Sequence, residues 1–132
     1  AYYWALSSKL YGETKSKLII KESRYKISKE EIGDLDNKLR ENLEKIALEG
    51  AINSFIPLAK WYMTVPKKAD YKNTYKWLSI ATAFNLNNAK EARDKISSLL
   101  DETELIDIQE EAKESYNSIK NNISAKKKLD GE

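Results

Sequence analysis

Ser28-Lys29-Glu30-Glu31-Ile32-Gly33-Asp34-Leu35 and Asp101-Glu102-Thr103-Glu104-Leu105-Ile106-Asp107-Ile108 stand 73 positions apart and carry the same instruction. Each opens on a side-chain oxygen able to accept a backbone N–H of a first helical turn. Glu31 and Glu104 follow three places on, the spacing of a capping box. A helical stripe then runs through Ile32, Leu35, Leu39, Leu43, Ile46 and Ala47 in the first stretch. In the second it runs through Leu105, Ile108, Ala112, Tyr116 and Ile119. Gly50 marks the end of the first helix. Gly33 inside it costs up to ~1 kcal/mol relative to Ala, and its counterpart is Ile106, so no function attaches to it.

Outward from these stretches the offset holds without a gap. Tyr2, Trp4, Lys17, Glu41 and Ile46 recur as Tyr75, Trp77, Lys90, Glu114 and Ile119, while Tyr11 meets Phe84, Ser16 meets Ala89 and Ile27 meets Leu100. A fixed long period signals a repeat architecture. Four Gly and two Pro in 132 residues, among abundant Lys, Glu, Leu, Ile and Ala, predict an all-α protein. The expected helices cover 2–11, 13–25, 28–49, 51–63, 71–84, 87–99 and 101–123, seven in all, with 64–70 the one clear loop and 124–132 a tail. Pro57 is awkward in the fourth helix unless that helix starts late, after Asn53 or Ser54, which places the ring in the first turn.

Composition excludes several classes. A net charge of +2 is too small for a dedicated nucleic-acid binder, and the one dense basic run, Lys126-Lys127-Lys128, is expected to be a solvated tail. With neither Cys nor His, thiolate zinc sites, disulfides and imidazole ligands are impossible. No apolar stretch reaches the ~20 residues of a membrane span. A bacterial periplasm and a cytoplasm both suit such a chain. Ala1-Tyr2-Tyr3-Trp4 reads as the middle of a helix, so the N-terminus is expected to be trimmed, with a repeat half upstream.

The stretch from Gly50 to Ala92 resembles the Sel-one-like repeat family, relatives of the tetratricopeptide repeats. Ser54 takes the small position, Leu58-Ala59 stands for Leu-Gly, and Tyr62, Val65-Pro66, Asp70-Tyr71, Trp77, Ala81 and Asn88-Ala89 follow in the family's order. Thr74 replaces the usual Ala, Asn85 replaces Gly, and the loop lacks its Gly-x-Gly. Ala1, Trp4, Ser8 and Gly12 look like the second half of a preceding unit. The resemblance implies a right-handed α-α superhelix, a solenoid divided into a half unit 1–25, a capped helix 28–49, a full unit 50–99, a capped C-terminal helix 101–123 and the tail 124–132. Trp4, Trp77, Tyr2, Tyr75, Tyr62 and Tyr71 are then core residues.

Nothing in the chain suggests catalysis. A Ser or Thr nucleophile has no histidine to activate it. The carboxylates lie in capping boxes or beside Lys and Arg on outer faces, away from the opposed pairs that acid–base chemistry needs. Catalytic, cofactor and metal residues are therefore read as none. The aromatic residues outside the family core, Trp61, Tyr3 and Tyr25, with Ile56 and Lys60 beside Trp61, are the candidate partner-binding residues. Trp61 either anchors a partner on the concave face or packs under the loop 64–70.

The expected function is a non-catalytic protein–protein interaction module: a bacterial adaptor, or an immunity protein that binds and neutralises a secreted effector toxin. The expected partner is a protein or peptide, with no nucleic acid and no membrane span. Alternatives are a small cell-wall-active hydrolase using Glu or Asp, and a structural assembly element that forms a homodimer.

Overall fold

The computed structural model describes residues 1–131, and among them there are seven α-helices, one 3-10 turn and no strand. The helices are α1 (Tyr2–Leu10), α2 (Ser16–Arg24), α3 (Lys29–Glu49), α4 (Phe55–Thr64), α5 (Tyr71–Ala83), α6 (Ala89–Ser97) and α7 (Glu102–Asp130), with the 3-10 turn at Ile52–Ser54. Neighbours in sequence pack as neighbours in space: α1 on α2, α4 on α5, α5 on α6. The longer helices complete the packing, α7 on α5 and α3 on α4 and α1, and they meet each other. That all-helical arrangement is compatible with a solenoid-like fold.

Local chemistry places the helix ends. Ser28 Oγ accepts the Glu31 N–H at 3.1 Å, and Asp101 Oδ1 accepts the Glu104 N–H at 2.8 Å. Each such cap is worth about 1 kcal/mol. Asp70 caps α5 in the same way, accepting the Asn73 backbone N–H at 3.0 Å and its side-chain amide at 2.9 Å. Gly12 after α1 and Asn85 after α5 sit at the same place in the two copies and both have left-handed backbones, φ +102° and +61°. Asn is the residue other than Gly that tolerates this conformation best, so the substitution keeps the turn.

Pro57 is the third residue of α4, in the first turn where its missing N–H costs nothing, as the late start requires. Ser54 stands at the N-cap position but does not cap. Its hydroxyl turns back and donates to the Ala51 carbonyl at 2.6 Å.

Two expectations fail. Residues 124–130 are not a loose tail but continue α7 as exposed helix, because nothing from Ile123 to Asp130 breaks a helix. Ile46 belongs to the apolar stripe by spacing yet is 37% exposed, while Leu39, Leu43 and Ala47 are buried. The burying partner of α3 lies on the Ala47 side.

The core is continuous from Leu6 and Leu10 through Phe55, Leu58 and Ile80 to Ile119, the last four 0–1% exposed. Each such side chain contributes about 1.5–3 kcal/mol by leaving water.

Candidate functional site

Chemistry-bearing residues gather at the junction of α1, α3 and α4. Tyr2 donates its hydroxyl to Asp36 at 2.5 Å, with the Arg24 guanidinium 5.9 Å from the Tyr2 ring centre. Trp61 Nε1 donates to the backbone carbonyl of the same Asp36 at 3.0 Å, and Arg40 lies over its indole at 5.8 Å. One turn further along α3, Glu44 accepts from the Tyr62 hydroxyl and pairs with Arg40 at 3.3 Å.

These groups are tuned by burial. Withdrawal from water pushes the Tyr2 phenol up to about 12, and its bond to Asp36 adds to the effect. Tyr62 is raised for the same reasons, burial first and then Glu44. Asp36 is also raised by burial, opposed by the Tyr2 hydrogen bond and by Arg24. A raised carboxylate can signal a catalytic acid. Here Asp36 and Glu44 are each engaged by a tyrosine, and eight residues of helix set them ~12 Å apart along α3. They are fastened side by side on one helix, a staple between α3 and the helices it crosses. Among the described residues no group of three or more Asp or Glu is placed to hold a metal ion.

Trp61 therefore does something other than present itself to a partner. It is 6% exposed, stacked edge-on against Tyr62 at 5.3 Å and bonded into α3. Its indole is not on an open face but packs on α3, the helix of the preceding copy, against Asp36 and Arg40. The spacing Trp61-Tyr62 could not show this, because adjacent residues on a helix point about 100° apart and both happen to find cover.

Ile56 and Lys60, by contrast, flank a real groove. It runs between α4, α5 and α6, encloses about 470 Å³, and is floored by Ala59, Met63, Leu78 and Ala92 with Asn87, Asn88 and Lys95 at its edge. The floor is apolar and the rim polar, the composition of a binding cleft. Tyr3 is half-buried and takes a hydrogen bond from Asn42 at 2.6 Å, and Tyr25 is 83% exposed beyond the end of α2. The structure does not bring Tyr3 or Tyr25 to the groove at α4.

Trp4 is the residue that sequence reasoning misplaced. Set down as core, it is 72% exposed, whereas its counterpart Trp77 is 3% exposed. The Trp77 ring packs against Phe55 of α4 with centres 5.9 Å apart, and Phe55 also meets Phe84 at 5.4 Å. Trp4 meets Tyr3 alone among aromatic rings, edge-on at 5.0 Å. Beside it lies a second cavity, of about 590 Å³, walled by Tyr3, Ile27 and Leu35 and edged by Lys26 and Lys38.

Compared with family models, with characterised proteins and with solved structures, the chain shows no match to any of them. No helix among the described residues is long and apolar enough to cross a membrane.

Proposed function

We propose that this chain is a non-catalytic protein-interaction module of the Sel-one-like repeat kind, and that it acts in a bacterium as an adaptor or as an immunity protein that neutralises a secreted effector. The observation that carries this reading is the groove between α4, α5 and α6. Its apolar floor of Ala59, Met63, Leu78 and Ala92, flanked by Ile56, and its rim of Lys60, Lys95 and two asparagines suit an inserted peptide or loop. The engagement of Asp36 and Glu44 by tyrosines supports a binding role over hydrolysis, since a working acid needs a free approach to substrate.

The test is co-expression with the product of the adjacent reading frame. A stable complex is expected, with loss of that product's activity at one molar equivalent. Ile56→Asp should weaken the complex while far-UV circular dichroism stays unchanged, because Ile56 is only half-buried. An effector fully active at molar excess of this chain would refute the immunity role. Undiminished binding by Ile56→Asp would move the site elsewhere.

A further inference from the structure

We infer that a third cavity, walled by α5, α6 and α7, binds a small organic carboxylate with a compact apolar body. It encloses about 330 Å³ and shares no lining residue with the groove at α4. That size falls at the small end of ligand pockets.

The two copies show that the cavity is particular to the second. In the first copy Leu6, Leu10, Ile20, Leu39 and Leu43 are core residues, each 2–8% exposed. At the offset of 73 the same places hold Ser79, Ala83, Arg93, Ala112 and Tyr116, and all five line the cavity. Three leucines have become Ser or Ala, which opens space in a region that is otherwise close-packed. The isoleucine has become a guanidinium. A helix junction gains nothing in packing from these exchanges, whereas a binding site gains both room and charge.

The polar exchanges all favour an anion. Asp36 of the first copy is matched by Gln109, so the tyrosine at this place, Tyr75, accepts from an amide at 3.2 Å where Tyr2 donates to a carboxylate. Arg40 is matched by Lys113, which keeps the cation. Arg93 and Lys113 thus line the cavity and no carboxylate does. Among the described residues Lys113 makes no ion pair, and Arg93 pairs only with its exposed neighbour Asp94, at 3.1 Å. Two cations less that one acid leave a single positive charge, which suits a monoanion, and the guanidinium fork matches a carboxylate.

Ser79 supplies a third group. Thr74 and Thr82 on the same helix each donate to the carbonyl four residues back, at 2.7 and 2.8 Å. Ser79 does not make that bond, and its Oγ, shut off from water, has no partner among the described residues. A buried hydroxyl of this kind is a donor in reserve for a bound acceptor.

The experiment titrates the intact, isotope-labelled chain with phenylacetate and follows its amide resonances. Saturable shifts are expected around Ser79, Gln109 and Lys113, with a Kd of about 1 mM or tighter, in keeping with ten non-hydrogen atoms. Phenylacetamide, of the same shape without the charge, should bind at least about tenfold more weakly. Arg93→Gln should weaken phenylacetate about tenfold and leave phenylacetamide nearly unchanged. Ser79→Leu, which restores the residue of the first copy, should abolish binding of both with the circular dichroism unaltered. Ile56→Asp, in the groove at α4, should leave the titration as it is.

Absence of saturable shifts overturns the proposal, as does equal binding of phenylacetate and phenylacetamide. Shifts centred on Lys60 and Lys95 would assign the anion to the groove and overturn it as well. Phenyl phosphate binding tenfold tighter than phenylacetate would assign the cavity to phosphate esters, against the carboxylate proposed.

Discussion

The stretch α1–α2–α3 and the stretch α5–α6–α7 are two renderings of one pattern, and the informative differences lie in what each has opposite it. Their internal bonds correspond. Tyr2 reaches Asp36 and Tyr75 is reached by Gln109, each pair 34 residues apart, and the caps at Ser28 and Asp101 match bond for bond. Their surroundings do not. The second copy has α4 over its first helix, so Trp77 and Ala81 are core. The first copy shows the same positions to solvent. It uses α4 on another side, through Trp61 and Tyr62 bonded into α3. One helix thus serves both copies, giving Phe55 to the second and Trp61 to the first.

That division predicts unequal costs for equal substitutions. Trp77→Ala and Phe55→Ala should each lower unfolding free energy by about 3–5 kcal/mol, the usual range for a buried large aromatic. Trp4→Ala should cost under about 0.5 kcal/mol. Urea denaturation of the three variants decides it, and comparable losses at Trp4 and Trp77 would break the asymmetry.

A smaller effect tests how the copies are joined. Trp61→Phe keeps most of the buried ring and removes only the second donor to the Asp36 carbonyl, which retains its helical N–H partner, an expected loss of about 0.5–1.5 kcal/mol. A near-zero change would mean that water replaces the indole N–H.

The two helix-ending glycines offer a comparison of similar size. Gly50 has φ +111°, and a Cβ there would stand 2.7 Å from Ile123 Cγ1, where the end of α3 meets α7 and Asn122 donates to the Leu48 carbonyl at 2.7 Å. Gly12 has φ +102° and open space around it. Gly50→Ala should therefore cost about 1–3 kcal/mol and more than Gly12→Ala, since the second bears the backbone strain alone.

The last expected effect is a dependence on pH. The Tyr2 phenol is held up at about 12 in the folded chain against 10.0 when unfolded. Between those values the folded state keeps a proton that the unfolded state has lost, so stability is full below pH 10 and declines as pH rises through 12. Tyr2→Phe should flatten part of that decline, with Tyr62 responsible for more of it. An unchanged alkaline slope would remove Tyr2 from the buried staple.

Much of this architecture was legible in the residues. Caps and helix periods are local, so Ser28, Asp101, Gly12 and a late start of α4 that places Pro57 in its first turn could be read from the residues, whereas Asn85 read only as a departure from Gly. Burial is not local. Trp4 and Trp77 hold matching places in the two copies, each two residues after a tyrosine, and the path of α4 separates them. Trp61 was open for the same reason, since helical spacing names a face without saying what lies across from it. Ile46 and the helical continuation to Asp130 follow suit: the stripe and the propensity were visible, but the angle at which α3 crosses its neighbours was not. Ile56 and Lys60 were named only as neighbours of Trp61, and the groove they flank emerged from the packing of α4 on α5 and α6, whereas the exposure of Trp4 required the two copies to be laid side by side.

The central claim is that one copy's tryptophan is covered and the other's is open. Fluorine NMR of the chain labelled with 5-fluorotryptophan tests it most directly, with resonances assigned through Trp4→Phe, Trp61→Phe and Trp77→Phe. On exchange from H2O to D2O the Trp4 resonance should show the full solvent isotope shift, while Trp61 and Trp77 show little. A large shift at Trp77, or a shielded Trp4 in the isolated chain, would contradict it.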